Sequence, residues 1–176
     1  NQDLLLCNIG TAQRAGIREE LAAIGFEVPE APAPLARHAI ACPALPTCGL
    51  AITEAERVLP TVLNRLEQQL ERLEIEKPLL LRMTGCPNGC ARPYMAELGL
   101  VGSGVNQYQL WLGGTPNLQR LARPFLQRMP LDDLETTIEP LLKSWKDAGG
   151  RRSFGDHIQQ LGDQTVAELL GTSAPA

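Results

Sequence analysis

Four of the five cysteines are spaced as two short pairs, Cys42-x5-Cys48 and Cys86-x3-Cys90. Soft thiolates held at short spacing in two loops are metal ligands by type, and four of them suit a cubane iron–sulfur cluster. Zinc knuckles prefer C-x2-4-C pairs, whereas the first pair here is longer and is stiffened by Pro43 and Pro46. A thioredoxin-like redox site needs C-x-x-C, and a bacterial ferredoxin needs a run of closely spaced cysteines; neither is present. Spacing alone ranks an iron–sulfur site ahead of structural thiols and zinc, and leaves all three open.

The residues around the second pair favour an anion. Pro87 follows Cys86 and fits the first position of a helix, where its missing N–H costs nothing. Cys86 and Cys90 would then lie four apart on one face, beneath amide N–H groups and a helix dipole that attract negative charge. A cluster ligated by four thiolates is such an anion. Gly85 and Gly89 allow close backbone approach, and Asn88 can donate to a sulfide or thiolate.

Cys42-Pro-Ala-Leu-Pro-Thr-Cys48 with Thr84-Gly-Cys-Pro-Asn-Gly-Cys90 resembles the signature of the sirohaem and [4Fe-4S] sulfite and nitrite reductases. The flanks Gly49-Leu-Ala-Ile-Thr-Glu-Ala-Glu-Arg57 and Ala91-Arg-Pro-Tyr-Met-Ala-Glu-Leu-Gly-Leu-Val-Gly102 are most similar to the ferredoxin-dependent, assimilatory sulfite reductases of cyanobacteria and plastids. So are Tyr108-Gln-Leu-Trp-Leu-Gly-Gly-Thr115 and Ser153-Phe-Gly-Asp156, and the likeness runs from Asn1 to about Asp156. It implies that Cys42, Cys48, Cys86 and Cys90 ligate the cluster, and that the Cys90 thiolate also bridges to the sirohaem iron. Thr84, Asn88, Gly89, Arg92 and Gln2 fall at cofactor-binding positions, Gln2 because Asn1-Gln2 resembles a segment beside the sirohaem pocket. The implied reaction is the six-electron reduction of sulfite to sulfide. Electrons enter from reduced ferredoxin at the cluster and pass to the haem iron, and the cofactors carry the hard chemistry.

The resemblance also implies a longer protein. Members of the family are several times this length, so the chain reads as a C-terminal portion. The N-terminal half would supply the Lys and Arg residues around substrate, and the fragment alone is expected to be inactive. Rival readings are a ferredoxin-dependent nitrite reductase, an electron-transfer module with a cluster and no sirohaem, and a zinc-stapled domain. The nitrite enzymes differ by Cys-Thr-Gly at the first loop and Ser at the position of Gly89. For docking an acidic ferredoxin, Arg120, Arg123 and Arg128 form a modest basic cluster whose plain alternative is a solvated helix face. Arg82 reads as an ordinary surface arginine. Arg92 could pair with a sirohaem carboxylate or an incoming anion.

The elements that must hold these residues are readable in outline. The chain has 176 residues, 44% hydrophobic and 20% charged, enough for a compact core. Its net charge of −4, without a basic run, argues against nucleic acid. No apolar stretch is long enough to span a membrane, and no signal peptide opens the chain. The expected setting is a bacterial cytoplasm, or a plastid stroma in a plant. Strands are expected over 3–9 (with Cys7 buried), 78–83, 97–101 and 107–112, the last two joined by a turn at Gly102-Ser103-Gly104. Helices are expected over 11–25, from a Thr53-x-x-Glu56 capping box through Leu73, from Thr115-Pro116, and over 131–148 with Pro140 inside. Residues 28–37 read as an extended connector. His38 and His157 have no assigned partner, and Trp111 and Trp145 read as packing residues. The fold class is α+β, a mixed sheet with helices packed on it. Residues 1–156 read as the cofactor-binding domain and 157–176 as a tail, partly helical and then disordered.

Overall fold

The computed structural model describes residues 6–26, 34–117 and 119–175. They belong to two compact units, 1–33 and 34–176.

In the first unit a 3-10 turn at Thr11–Gln13 leads into α1, Arg14–Ala23, which ends at Gly25 with φ +86°. That is the helix expected from the spacing of Ile17 and Leu21, closed by a glycine in the left-handed region. Residues 6–9 form no strand, and Cys7 is exposed rather than buried. The remainder of the expected strand, Gln2 included, and residues 28–33 of the connector lie outside the described residues.

The second unit is built on a five-stranded mixed sheet in the order β1-β2-β3-β4-β5. The strands are β1 Ile40–Ala41, β2 Leu81–Thr84, β3 Leu98–Gly104, β4 Gln107–Leu112 and β5 Arg123–Pro130. β1, β2 and β3 are mutually parallel, and β3, β4 and β5 antiparallel. The α+β class read from the sequence is the observed one. Side chains alternate across the sheet with period two. Leu81, Met83, Leu98, Leu100, Tyr108, Leu110 and Leu112 share one face and belong to the hydrophobic core. Arg82, Thr84, Gly99, Val101, Gln109 and Trp111 share the other.

Helices supply the rest of the core. α2, Leu59–Arg72, crosses from β1 to β2 and buries Val62, Leu66, Gln69 and Leu70 at helical spacing. α3, Leu134–Asp147, buries Leu134, Ile138, Leu141, Leu142 and Trp145, with Pro140 inside as expected. Gln69 Nε2 donates to the Glu135 carbonyl at 2.7 Å, and Arg65 pairs with the Glu135 carboxylate, which ties α2 to the start of α3. α4, Phe154–Leu161, and α5, Asp163–Leu170, pack on α3 and on one another, burying Phe154, Ile158, Val166 and Ala167. The segment read from the sequence as a tail after residue 156 thus begins within α4 and continues through α5.

Several boundaries differ from expectation, each for a local reason. α2 starts at Leu59 with Pro60 in its first turn, where proline is tolerated, not at Thr53. Thr53 is used elsewhere: its hydroxyl accepts from the Asn106 N–H at 3.1 Å and lies 3.3 Å from the Tyr108 hydroxyl. The turn between β3 and β4 falls at Val105-Asn106, with Asn106 at φ +53°, so Gly102 and Gly104 stay in the strand. Thr115-Pro116 opens a turn rather than a helix: the Thr115 hydroxyl accepts from the Gln119 and Arg120 amides, at 3.2 and 3.1 Å. The chain then enters β5, an edge strand whose Pro124 and Pro130 hid it from a pattern-based reading. Among the described residues no helix is long and apolar enough to cross a membrane.

Candidate metal centre

The two cysteine loops leave the sheet side by side. β1 and β2 are parallel neighbours, with Ala41 opposite Met83, so Cys42 and the Gly85-Cys86 turn emerge at the same edge, past the carboxyl ends of both strands. That is where open sheets with parallel strands bind ligands. The Cys42 amide donates to the Met83 carbonyl at 3.1 Å, and the Gly85 amide donates to Cys42 Sγ at 3.3 Å. An amide aimed at sulfur favours the thiolate form. The Ile52 and Thr53 amides both donate to the Gly85 carbonyl, at 2.8 and 3.2 Å.

Gly85 is where the loops touch. A Cβ there would lie 2.5 Å from the Thr53 carbonyl oxygen and 2.6 Å from the Ala44 Cβ, so only glycine fits. Gly89 has φ +69°, and a Cβ on it would lie 2.5 Å from the Tyr94 ring. Tyr94 holds the second loop down. Its hydroxyl donates to the Pro87 carbonyl at 2.5 Å, and its ring meets Trp111 edge to face, centroids 4.5 Å apart. Tyr108 does a similar service for the first loop, donating to the Glu54 carbonyl at 2.6 Å.

The helix expected from Pro87 is not formed. Residues 85–91 make turns, closed by the Gly89 amide on the Cys86 carbonyl at 3.4 Å and the Arg92 amide on the Gly89 carbonyl at 2.7 Å. A 3-10 turn at Pro93–Met95 follows. Gly89 in the left-handed region breaks the helical path. The anion-favouring feature is therefore individual amides rather than a helix dipole.

Cys42 and Cys86 are buried, Cys48 is half-buried and Cys90 is exposed; all four are free thiols. Burial pushes the Cys42 thiol up, the Gly85 and Ala44 amides pull it down, and the Cys90 and Cys86 sulfurs push it up through their charge. Among the described residues no three His, Cys, Asp or Glu side chains converge on one metal ion. A single zinc needs every ligand within about 2.3 Å of one point, whereas in a cluster each thiolate takes its own iron.

The other expected site residues are also placed. Thr84 is fully buried and its hydroxyl has no partner. Asn88 is exposed beside the exposed Cys90, and Gly89 is buried. Arg92 is exposed, with φ +56°. Arg82, read from the sequence as a surface residue, is 5% exposed on the inner side of this face. His38 is exposed, and His157 is buried with its Nε2 3.0 Å from the Ser144 hydroxyl. Arg120 pairs with Asp156 at 2.8 Å and Arg123 pairs with Asp163, so two of the three basic residues considered for docking are engaged within the domain, and neither is helical. Tyr94, Thr53 and Tyr108 support the loops but carried no functional signal in the sequence beyond their place in the flanking motifs.

Known proteins resemble this chain over most of its length. Residues 33–174 match the family described as nitrite and sulphite reductase 4Fe-4S domain. The chain is 51% identical over 173 residues to the ferredoxin sulfite reductase of Synechococcus elongatus, covering 96% of this chain and 27% of that protein. It is 42% identical over 165 residues to the NADPH sulfite reductase hemoprotein beta-component of Xylella fastidiosa (strain 9a5c), covering 92% of this chain and 29% of that one. The chain thus spans less than a third of the length of these relatives. Its fold is similar to that of the Mycobacterium tuberculosis NirA protein, with TM-score 0.73, 23% identity, and 92% and 31% of the two chains covered. Dissimilatory sulfite reductase I is similar at TM-score 0.65 and 13% identity, with 94% and 59% covered. The chain belongs to the nitrite and sulphite reductase 4Fe-4S domain family.

Proposed function

We propose that this chain is the cluster-bearing C-terminal part of a longer sulfite reductase that takes electrons from reduced ferredoxin. The observation that carries the reading is the pair of cysteine loops side by side at the ends of β1 and β2, locked by the Gly85 amide on Cys42 Sγ. Cys42, Cys48, Cys86 and Cys90 are the proposed ligands of a [4Fe-4S] cluster. When bound, the cluster and a sirohaem supply the electron storage and the iron centre that sulfite reduction needs.

The chain's own residues position and shield. The Gly85 amide steadies the Cys42 thiolate, and Gly85 and Gly89 keep the loop backbones close. Tyr94 and Trp111 fix the second loop from below. Cys42 and Cys86 are buried and would hold the cluster from inside, while Cys90 is exposed and would hold it on the side open to the sirohaem. Thr84, Asn88, Gly89 and Arg92 surround that exposed thiol's loop and are the proposed contacts to the cofactors, with Gln2 a further one. The substrate cations and the rest of the pocket would come from the longer protein, and the reaction is set in a bacterial cytoplasm or a plastid stroma.

Ferredoxin as donor is supported by the 51% relative, whose name carries it, against the NADPH name at 42%. The test is turnover by the full-length protein, purified anaerobically, with reduced ferredoxin. Sulfide formed from sulfite, together with a haem absorption band that shifts in Cys90→Ser, is the expected result. Ammonia from nitrite with little sulfide would move the assignment to a nitrite reductase.

A further inference from the structure

Tyr94 lies just beyond the second cysteine pair and folds back over the loop that joins Cys86 to Cys90. Its hydroxyl donates to the Pro87 carbonyl at 2.5 Å, and its ring lies so close to Gly89 that a Cβ there would meet it at 2.5 Å. The ring is held in turn, edge to face against Trp111 of β4, and the Tyr94 carbonyl accepts from the Ala122 amide at 2.7 Å. A side chain fixed in this way is a rigid rest for the loop, and its hydroxyl fixes the plane of one peptide within it. In a planar trans peptide the carbonyl and the following N–H point opposite ways. With the Pro87 carbonyl turned onto Tyr94, the Asn88 N–H is turned away from it. The loop's other donors can be traced one by one. Pro87 has no N–H, and the Gly89 amide donates to the Cys86 carbonyl at 3.4 Å. The Asn88, Cys90 and Ala91 amides have no acceptor among the described residues. Ala91 is only 3% exposed, and an N–H left unpaired in so covered a residue is uncommon. Free donors thus lie within, and directly beside, the span between two proposed cluster ligands.

We propose that Tyr94 is a positioning residue that sets the reduction potential of the cluster. By fixing the Pro87–Asn88 peptide, its hydroxyl keeps the loop's free amides aimed at thiolate and sulfide sulfurs. Hydrogen bonds to the sulfurs are one of the means by which a protein sets a cluster's potential. A hydrogen bond to an ionised acceptor is stronger than one to a neutral acceptor, so these amides favour the reduced, more negative form. The inference rests on reading the cysteine loops as a cluster site. It deepens that reading by giving control of the potential to a side chain that ligates nothing.

The experiment compares Tyr94→Phe and Tyr94→Leu with the unsubstituted full-length protein, all purified without air. Three quantities are read: iron and acid-labile sulfide per chain, the midpoint potential of the cluster, and the shift of its iron–sulfur vibrations on transfer to heavy water. The last reports exchangeable N–H groups bonded to sulfur. Tyr94→Phe keeps the ring against Gly89 and Trp111 and loses only the hydroxyl. It is expected to keep its iron and sulfide and to show a smaller heavy-water shift. At a fixed solution potential its ratio of reduced to oxidised cluster is expected to fall about tenfold, a midpoint ~59 mV lower for a one-electron couple. Tyr94→Leu removes the ring as well, and is expected to lower the midpoint at least as far and to lose iron faster to a chelator. An unchanged or higher midpoint in Tyr94→Phe overturns the proposal, as does a lower one with the heavy-water shift intact. Loss of iron and sulfide from Tyr94→Phe also overturns it, because the hydroxyl would then hold the site together rather than tune it. Should Tyr94→Leu not fold, Tyr94→Phe decides alone, since its packing is kept. An unsubstituted protein without iron and sulfide sinks the cluster reading itself, and this inference with it.

Discussion

Gly85 bears the closest contact between the two cysteine loops. Replacing it with alanine would drive a methyl group against the Thr53 carbonyl and the Ala44 side chain, with backbone on one side that cannot rotate away. Gly85→Ala is expected to cost about 1–3 kcal/mol in chemical denaturation, and to lower iron content as the loops separate. Cys42→Ser is expected to lose the cluster outright while the cofactor-free protein changes little, because serine nearly matches the thiol in size; iron and sulfide analysis against a denaturation curve separates the two effects. At this scale the four cysteines and both loop glycines were legible from types and spacing. Arg82 was not: an arginine between Leu81 and Met83 looks like the solvent side of a strand. It is buried because the connection from β2 to β3 folds over that face, with Pro93 backbone against Gly99. Sequence periodicity carries no sign of such a cover.

The helices near the chain's end are tied to the sheet through carboxylates. Glu97, 2% exposed just before β3, accepts from the Leu80 amide at 2.7 Å and from the Gly155 amide in the first turn of α4 at 2.9 Å. Burial raises its pKa, against the pull of those amides and of Ser153. A glutamine there keeps one acceptor and turns a donor toward an N–H, so Glu97→Gln is expected to cost about 1–3 kcal/mol near neutral pH. The first turn of α4 is closed reciprocally: the Ser153 hydroxyl accepts from the Asp156 amide at 3.1 Å and donates to Asp156 Oδ2 at 2.8 Å. Arg120 first, then Ser153, hold the Asp156 carboxyl below its ordinary value. A lowered value means stability present above the unfolded pKa of about 3.9 and lost as pH falls through the folded one. Asp156→Asn is therefore expected to cost about 1 kcal/mol at pH 7, discounted for the carboxylate's partial exposure, and almost nothing at pH 2. Glu97 has the opposite sign, its stability contribution falling as pH rises through its raised value. A pH series of denaturation midpoints on the wild type and both variants checks the pair. Long periodic elements such as α3 and the alternating β4 were readable in the sequence. The helix starts at Thr53 and Pro87 were not, since a cap residue and a proline have other uses when a tertiary partner claims them: Asn106 and Tyr108 claim Thr53, and Gly89 breaks the path after Pro87.

Across the whole molecule, a mixed sheet with helices packed on its apolar face leaves the opposite face to carry Arg82, Thr84 and the support for the second cysteine loop. The cysteines gather at the carboxyl edge of the parallel strands, and the antiparallel strand β4 contributes both Tyr108 and Trp111 as props. Cys90 and Asn88 stand exposed on this edge, as do Leu50 and Ile52 of the first loop, at 72% and 41%. An exposed apolar and thiol-bearing edge is one built to be covered. The account rests on the four cysteines holding one cluster. It is tested most directly by assaying iron, acid-labile sulfide and zinc in this chain, prepared and reconstituted without air. About four irons and four sulfides per chain, abolished in Cys42→Ser and Cys86→Ser, are expected. One zinc per chain with no sulfide would contradict it.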